Sequence, residues 1–349
     1  MAERFVRNCW YVAAWSHEVG DDTLFARTLL GEPVLLYRLA DGSPVALADR
    51  CCHRHAPLSI GRKEGDCVRC MYHGLKYDRH GRCVEIPGQS AIPTSLQLKR
   101  YPVAERGRWI FLWMGQPDMA DLSLLPDVSA LNHPDWRMKP GYMHYKANYL
   151  VISDNLLDFS HLSYVHENTL GGTPAIAETR PTFENLPRGV KVTRRVENTV
   201  PAPYHMQYGK FTGGVDRYWI YEYLVPGILL MDSGATPSNG ANDGGATALK
   251  FRSCQALTPE SDKTTHYFFM QAHAFSLEDE AVTESLYQSV VLAFNEDRRM
   301  IEAQQRMLDL GAADDMVILP FDRGLIQFRR TIEKFITMES ISESSPRPD

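Results

Sequence analysis

The sequence predicts an α+β protein of two domains, in which an antiparallel β domain precedes a domain of antiparallel strands and helices. Three observations lead to this fold class. Short β-rich runs alternate with turns over residues 5–115. Strand-like runs return over residues 190–275, and a long helical pattern covers residues 278–308. A chain of 349 residues is also more typical of two domains than of one.

The first domain is predicted to comprise residues 1–118. Its strand-like runs are rich in Val, Leu, Tyr and Trp, and they are PVLLYRL, PVALADR, VRCMYHGLKYD and RWIFLWMG. Asp41-Gly42 and His80-Gly81 are turn signals between these runs. We therefore expect a compact antiparallel β domain.

The second domain is predicted to comprise residues 119–340, and its first part belongs to a connector of little regular structure that is rich in Pro and Asp, residues 116–140. Helical spacing of apolar residues predicts a helix in YLVISDNLLDFSHLSYVH. Four strands follow, in VKVTRRVENTV, RYWIYEYLV, ALKFRSCQALT and HYFFMQAHAF. TPSNGANDGGAT is predicted to be a surface turn, and a last helix is predicted at about residues 322–337. The polar tail, residues 341–349, is predicted to be disordered.

The composition excludes several classes of protein. A formal net charge of −6 argues against a nucleic-acid-binding protein. No apolar run is long enough to span a membrane, and the first residues do not resemble a signal peptide. Seven cysteines are an odd number and do not indicate a disulfide framework. We expect a cytoplasmic protein without a membrane or nucleic-acid partner.

Two short segments each combine one cysteine with one histidine. Cys51 and His53 form a C-x-H pair, and Cys70 and His73 form a C-x-x-H pair. Sixteen residues separate His53 from Cys70. That distance accommodates two strands and a turn, so both pairs can lie on neighbouring hairpin tips. A [2Fe–2S] cluster of the Rieske type takes two Cys on one iron and two His on the other. A tetrahedral zinc site is the alternative, although zinc fingers pair like ligands.

Four segments resemble the oxygenase components of Rieske non-haem iron oxygenases, especially the subgroup of vanillate O-demethylase and dicamba monooxygenase. They are FVRNCWYVAAW, CCHRHAPLSIG, CMYHGLKYD and DNLLDFSHLSYVH. Family members often have Pro where this chain has Cys52 and Met71. Cys52 is adjacent to His53, which does not suit the loop, so Cys51 is the expected ligand. The resemblance implies a Rieske domain followed by a helix-grip catalytic domain.

His161 and His166 are candidates for a second metal site. Two His and one carboxylate on one face of the metal are typical of mononuclear non-haem iron. Five residues on a regular helix rotate by about 140°, so the two imidazoles meet on one ion only if the helix is distorted, for example by a π-bulge. Asp158 lies three residues before His161 and shares its helix face.

Asp297 is the predicted carboxylate ligand. It interrupts an apolar stripe of the long helix formed by Leu286, Val290, Phe294 and Ile301. A carboxylate on a core-facing stripe is costly unless it is paired or bound to metal. Glu296 is predicted to point about 100° away into a more polar row, so Asp297 is preferred. The resemblance also implies the carboxylate ligand in this helix.

The resemblance implies several further properties. It implies that Asp158 bridges His73 of one subunit to His161 of the next in a homotrimer, and that Asn155 positions dioxygen or substrate. Electrons would reach the [2Fe–2S] cluster from NAD(P)H through a ferredoxin or a ferredoxin reductase, and mononuclear Fe(II) would be the site of oxygen chemistry. The expected reaction is O-demethylation or N-dealkylation of an aromatic compound. A ring-hydroxylating dioxygenase and a non-catalytic electron carrier are the alternatives.

The predicted walls of the substrate pocket are neutral or apolar. The candidates are Tyr218, Tyr221, Met231, Gln255, Phe269 and Gln288. Their character disfavours tight recognition of a carboxylate and suits a neutral aromatic ether or amide.

Overall fold

The protein is described from a computed structural model, which describes residues 5–238, 248–311 and 316–344. The chain divides into two compact units. One contains Phe5–Leu125 together with Thr258–Ser261. The other contains Pro126–Leu257 and the described residues from Asp262 onward. The α+β class is confirmed, with a β domain preceding a domain of sheet and helices.

The first unit is built from eleven short strands among its described residues. They are β1 (Trp10–Trp15), β2 (Phe25–Leu29), β3 (Glu32–Arg38), β4 (Pro44–Ala48), β5 (Arg62–Glu64), β6 (Cys67–Arg69), β7 (Lys76–Tyr77), β8 (Cys83–Glu85), β9 (Arg100–Tyr101), β10 (Val103–Arg106) and β11 (Trp109–Trp113). These strands form three sheets, in the orders β1-β11-β10, β2-β3-β4-β9 and β5-β6-β7-β8. Gly42 and Gly81 adopt φ values of +84° and +81° in the two predicted turns, a conformation that favours glycine.

The core of the first unit contains both candidate cluster cysteines. Cys51 and Cys70 pack in one buried group with aliphatic and aromatic side chains that include Tyr37, Leu58 and Tyr77. Burial of this apolar surface is the main stabilising contribution, at about 25 cal/mol for each Å² removed from water. The two cysteine-containing loops are therefore anchored on the core of the domain.

The second unit is organised around a seven-stranded antiparallel sheet with the order β12-β18-β17-β16-β15-β14-β13. Its strands are β12 (Gly141–Tyr145), β13 (Thr182–Leu186), β14 (Gly189–Thr199), β15 (Val215–Leu224), β16 (Ile228–Pro237), β17 (Leu249–Ser261) and β18 (Thr264–His273). β14, β15, β17 and β18 were predicted, whereas β12, β13 and β16 were missed. Side chains of β15 alternate strictly between buried and half-buried, as expected for a strand with one covered face.

Five α-helices belong to the described part of the second unit. They are α1 (Tyr149–Leu157), α2 (Pro174–Glu178), α3 (Pro203–Gly209), α4 (Glu280–Asp309) and α5 (Arg323–Ser344). α4 packs against β12 and β18, α5 packs against β13 and β14, and α1 contacts both helices. This arrangement places α1 and α4 side by side. α4 contains the predicted ligand Asp297, and α1 precedes the predicted ligands His161 and His166.

The long helix α4 begins at a capped end. The carboxylate of Asp279 accepts a hydrogen bond from the backbone N–H of Ala281 at 3.0 Å, which satisfies one of the free donors of the first turn. The predicted stripe faces the core, since Leu286, Val290, Asp297 and Ile301 are all buried. The prediction that Asp297 points into the interior is thus confirmed.

The C-terminal helix is longer than predicted. α5 continues to Ser344, so the first four residues of the predicted disordered tail are helical, and the remainder of the tail lies outside the described residues. Most of the predicted Gly/Asn-rich turn, residues 239–247, also lies outside them. No helix of the described part of the chain has the length and apolar character needed to cross a bilayer.

Candidate metal centres

Two loops of equal length present the Cys and His pairs. In the first loop, Cys51 N–H donates to the carbonyl of Ala56, and His55 N–H donates back to the carbonyl of Cys51, both at 2.9 Å. The second loop repeats this pattern: Cys70 N–H donates to Leu75 O at 2.8 Å, and the residue before Leu75 donates to Cys70 O at 2.9 Å. Each loop is thus closed at its cysteine by two backbone hydrogen bonds.

The two loops differ in the strands they connect. The second loop is a hairpin tip between β6 and β7, as predicted. The first loop joins β4 to β5, which belong to different sheets, so the prediction of a second hairpin tip is wrong. Each loop has a left-handed residue before its closing position, His55 with φ +58° and Gly74 with φ +79°. A Cβ on Gly74 would lie 2.6 Å from Cγ of Pro87, so this position requires glycine.

The four candidate ligands differ in solvent exposure, since the two cysteines are buried and the two histidines are exposed. Cys51 and Cys70 are each about 1% exposed, whereas His53 and His73 are exposed and their ring centroids lie 4.5 Å apart. Two buried thiols and two neighbouring surface imidazoles match the donor set of a Rieske cluster, with Cys on one iron and His on the other. None of the seven cysteines forms a disulfide.

Tyr77 is a functional candidate that the sequence interpretation missed. Its hydroxyl lies 3.1 Å from the Sγ atom of Cys51, and the side chain is fully buried. Burial, followed by the neighbouring Cys51, raises the pKa of Tyr77, so the phenol keeps its proton and can donate it to a cysteine sulfur. Hydrogen bonds to the sulfurs of an iron–sulfur cluster help to set its reduction potential. The only indication of this contact in the sequence was the presence of a tyrosine two residues after Leu75.

Tyr77→Phe is expected to lower the reduction potential of the cluster. The substitution removes one hydrogen bond to sulfur while keeping the ring in the core. The loss of about 1 kcal/mol corresponds to about 40 mV for one electron. Potentiometric titration followed by the visible spectrum measures this shift. Tyr37→Phe is the matched control, because the Tyr37 hydroxyl donates to the backbone carbonyl of Asp66, and its potential should remain unchanged.

The second candidate site begins where α1 ends. The predicted continuous helix through His166 is wrong: α1 stops at Leu157, and Asp158 adopts extended angles of φ −129° and ψ 101°. A 3-10 helix, Phe159–Ser163, follows and leads into turns. Asp158 is the N-cap of this 3-10 helix, since its carboxylate accepts a hydrogen bond from the backbone N–H of Ser160 at 2.9 Å. The interruption of the helix at Asp158 therefore brings the two imidazoles together, and the suggested π-bulge is not present in this segment.

His161, His166 and Asp297 converge on one point. Their candidate ligand atoms all lie within 4.8 Å of one another. Oδ1 of Asp297 lies 3.1 Å from Nε2 of His166 and 3.5 Å from Nε2 of His161. Two imidazole nitrogens and one carboxylate oxygen fit the facial set of mononuclear non-haem iron. The three residues predicted as ligands are thus assembled by the fold.

The other ring nitrogen of each histidine is held by a hydrogen bond. Nδ1–H of His161 donates to the backbone carbonyl of Asp158 at 2.6 Å. Nδ1–H of His166 donates to Oε2 of Glu296 at 2.8 Å, and the hydroxyl of Thr169 donates to the same oxygen at 2.7 Å. These bonds fix the tautomer and leave both Nε2 atoms free to bind a metal.

The protonation of the two histidines is shifted in opposite directions. Burial lowers the pKa of His161 despite the nearby Asp297. Burial is also the largest single effect on His166, but the contacts with Asp297 and Glu296 together outweigh it and raise the pKa of this histidine. The amide of Asn155 donates to Oδ1 of Asp297 at 3.1 Å, so Asn155 contacts the carboxylate ligand candidate directly.

Glu296 was rejected as a ligand, and its actual position gives it a different function. It was predicted to point into a polar row of α4, yet its carboxylate holds His166. We expect Glu296→Ala to weaken iron binding by about 10- to 100-fold, because the imidazole loses the partner that orients it. Iron release to a chelator measures the affinity. Glu296→Gln keeps an acceptor and should recover most of it, whereas equal affinity in Glu296→Ala and the unmodified protein would contradict this function.

The backbone and side chain of Asp158 have different partners. The backbone carbonyl binds His161, as described, while Oδ1 lies 3.4 Å from Nη2 of Arg194. Arg194 is about 2% exposed, and it also donates to the hydroxyl of Ser160 at 3.1 Å and to the carbonyl of Ile176. A buried guanidinium therefore holds the Asp158 carboxylate beside the iron-binding segment.

Both parts of the chain match known families. Residues 9–102 match the Rieske [2Fe-2S] domain, and residues 145–338, more than half of the chain, match the vanillate O-demethylase oxygenase C-terminal domain. The chain belongs to the Rieske non-haem iron oxygenases. It is an oxidoreductase, the oxygenase component of a monooxygenase system, with a [2Fe–2S] cluster and a mononuclear iron.

Individual relatives cover nearly the whole of this Rieske oxygenase. The toluene-4-sulfonate monooxygenase system iron-sulfur subunit TsaM1 of Comamonas testosteroni is 49% identical over 96% of this chain and 98% of its own. The dicamba O-demethylase oxygenase component of Stenotrophomonas maltophilia is 33% identical over 96% and 99%. The crystal structure of dicamba monooxygenase bound to 3,6-dichlorosalicylic acid superposes with a TM-score of 0.90 at 30% identity, over 96% and 99% of the two chains.

His161, His166 and Asp297 lie on the wall of a cavity in the second unit of the oxygenase. Besides the three ligand candidates, its walls include Asn155, Phe159, Leu162, Met231, Gln255 and Phe294. Of the predicted wall residues, Met231 and Gln255 are among those that line it.

The expectation of a pocket without basic residues is wrong for this oxygenase. Arg217 lines the cavity together with Trp219. Both belong to the buried face of β15, whereas the predicted Tyr218 points to the other face and stacks with Arg195. Neighbouring residues of a strand lie on opposite faces, and this accounts for the misplacement of Tyr218.

Proposed function

We propose that this oxygenase hydroxylates an alkyl carbon attached to oxygen or nitrogen of an aromatic compound, using O2 and two electrons from NAD(P)H. The hydroxylated carbon forms a hemiacetal or hemiaminal, which collapses to an aldehyde and a phenol or amine. The second oxygen atom leaves as water. The observation that carries this proposal is the convergence of His161, His166 and Asp297 on the wall of a largely apolar cavity.

The positions of the candidate donor atoms support the ligand assignment proposed here. We propose Cys51, His53, Cys70 and His73 as ligands of the [2Fe–2S] cluster, and His161, His166 and Asp297 as ligands of the iron. The bound iron would supply the site for dioxygen reduction. Glu296 and the backbone of Asp158 orient the two imidazoles, and Asn155 holds the carboxylate of Asp297.

Asp158 is proposed as the link for electrons between the two metal sites of neighbouring subunits. The proposal follows the family resemblance and requires a homotrimer, in which His73 of one subunit approaches Asp158 of the next. The side chain of Asp158 is about 16% exposed and keeps a free carboxylate oxygen beyond its bond to Ser160, which supports this use. A ferredoxin or ferredoxin reductase is the proposed donor, and the free thiols support a reducing cytoplasm as the location.

Hydroxylation of a methyl group bound directly to the ring is a second candidate function. It is favoured by the relative at 49% identity, which is named for toluene-4-sulfonate, a methylarene. The same site would serve both reactions, because each inserts oxygen into a C–H bond of an alkyl carbon. Only the fate of the product differs, since a benzylic alcohol is stable and does not release an aldehyde.

A product screen tests the proposal. The purified oxygenase is combined with a surrogate reductase, NADH and O2, and offered methoxyarenes, N-alkyl anilides and methylarenes. Formaldehyde or another aldehyde with a phenol or amine supports dealkylation, and a benzylic alcohol supports the second candidate. A cis-diol as the main product would instead identify a ring-hydroxylating dioxygenase and overturn both. The variant Asp297→Ala serves as the control for background oxidation.

A further inference from the structure

Arg217 places a buried positive charge on the wall of the iron-site cavity. The residue is about 1% exposed and lies on the covered face of β15, two residues before Trp219, which lines the same cavity. Its guanidinium lies over the indole ring of Trp219, 4.8 Å from the ring centroid. Both side chains therefore face the space in which a substrate would bind.

The partners of Arg217 are neutral groups, namely two backbone carbonyls and the phenol of Tyr204. Nη1 donates to the carbonyl of Gly171 at 2.6 Å, and Nη2 donates to the carbonyl of Leu170 at 3.0 Å. Nε is buried and has no hydrogen-bond partner among the described residues. No carboxylate of the described chain lies within ion-pair distance of this guanidinium. The adjacent Asp216 points to the other face, where it accepts from Asn198 N–H and the hydroxyl of Ser238.

A buried guanidinium without a counter-ion is costly, and arginine keeps its charge even when buried. Fully buried charges in proteins are normally paired with an opposite charge. The carboxylate of Asp297, on the same cavity wall, is already held by Asn155 and the two imidazoles. An anionic group that enters the cavity with a ligand would supply the missing partner.

The remaining walls limit what that ligand can be. Phe159, Leu162, Val290 and Phe294 give the cavity an apolar interior suited to an aromatic ring. Arginine binds planar or tetrahedral oxyanions through several N–H groups at once, and the pair is strong when water is excluded. A ring that carries a sulfonate or carboxylate at one end and an alkyl carbon at the other satisfies both the charge and the apolar walls.

We propose that Arg217 binds the sulfonate or carboxylate of an aromatic substrate and so directs its alkyl carbon to the iron-binding residues. This inference rests on the proposed function and deepens it, because it assigns the substrate to the aromatic acids. Arg217 is a specificity-determining residue in this assignment. The bonds to Leu170 and Gly171 hold the guanidinium in place for the anion.

The test is equilibrium binding to the holoenzyme without reductase or O2, so that it does not depend on turnover. The ligands are 4-methylbenzenesulfonate, 4-methylbenzoate and the neutral methyl 4-tolyl sulfone, which has nearly the same shape as the sulfonate. The measured quantity is the Kd of the sulfone divided by the Kd of each anion. The unmodified enzyme should bind at least one anion about 100-fold more tightly than the sulfone. The anion that is bound more tightly identifies the acid group.

Arg217→Met should remove this preference, and Arg217→Lys should reduce it, because lysine keeps the charge but loses the fork of N–H groups. Arg195→Met is the matched control: Arg195 is an exposed arginine on the neighbouring strand β14, and its variant should keep the full preference. A purely structural function would weaken anions and sulfone equally, so an unchanged ratio in both Arg217 variants overturns the proposal. Arg217→Lys provides the test if Arg217→Met does not fold.

A separate turnover measurement distinguishes failure of the proposed function from failure of the anion site. If no alkylarene is oxygenated but the binding ratio depends on Arg217, the proposed function fails and the anion site stands. If neutral alkylarenes are oxygenated and bound as well as the acids, the function stands and the anion site fails.

Discussion

Asp297→Ala is expected to abolish turnover while the [2Fe–2S] cluster stays intact. Oδ1 of Asp297 is the only carboxylate oxygen that approaches both Nε2 atoms in the described site, at 3.1 and 3.5 Å. Without it two neutral imidazoles remain, and they bind iron weakly. Loss of a partner that only orients a ligand costs about 10- to 100-fold in metal affinity, so loss of the ligand itself should cost more.

The measurement combines metal analysis with spectroscopy. The iron content should fall by the amount that the mononuclear site holds. The visible spectrum of the cluster should be unchanged, and product formation should be lost. Asp309→Ala is the matched control, because it removes a carboxylate from the far end of α4 whose partially exposed ion pair with Lys263 contributes little. Normal iron content and turnover in Asp297→Ala would refute the assignment of this ligand.

Asp158→Asn is expected to keep both metal sites and still lose nearly all turnover. Asparagine is as good an N-cap as aspartate, so the bond to Ser160 N–H should persist, and the backbone carbonyl that holds His161 is unaffected. What disappears is the negative charge that the proposed bridge between His73 and His161 requires. Electron transfer, and with it every catalytic cycle, should therefore slow.

A stopped-flow experiment separates this effect from a loss of iron. The reduced variant is mixed with O2 and substrate, and reoxidation of the cluster is followed by its visible absorbance. Reoxidation should be slowed by orders of magnitude, with iron content unchanged. Glu178→Gln, an exposed carboxylate at the end of α2, should behave like the unmodified protein. Fast reoxidation in Asp158→Asn would mean that the residue acts only as a cap and as a partner of Arg194.

The fold was predictable where a sequence pattern has one physical cause. The alternation in β14 and β15 reflects strands with one covered face, the nearly continuous apolar runs of β17 and β18 reflect strands buried on both faces, and the stripe of α4 reflects a helix with one buried side. β16 carries polar and small residues, Asp232 to Gly234, in its middle and was missed. The break at Asp158 was missed because its neighbours keep a helical spacing, although a lone N-cap residue before Phe-Ser was the available signal.

The proposed metal ligands could be picked out of the sequence because Cys, His and carboxylate ligands are uncommon residues at restricted spacings, and the fold brings His161, His166 and Asp297 together. The groups that tune them could not be picked out: Tyr77 and Glu296 act through contacts that depend on how distant segments meet, and neither has a distinctive local pattern. Arg217 shows the same limit. Its membership of a strand was clear, but which face of the strand covers the cavity depends on the packing of the whole sheet.

The two cluster loops share one backbone design, with the same hydrogen-bonded closure and a left-handed residue at the same position. Their histidines nevertheless occupy different positions, the second residue after Cys51 and the third after Cys70. The likeness of the two loops therefore ends at the imidazoles, whose planes meet at 67°. The two rings are chemically inequivalent, and nitrogen-selective magnetic resonance should resolve them as separate signals.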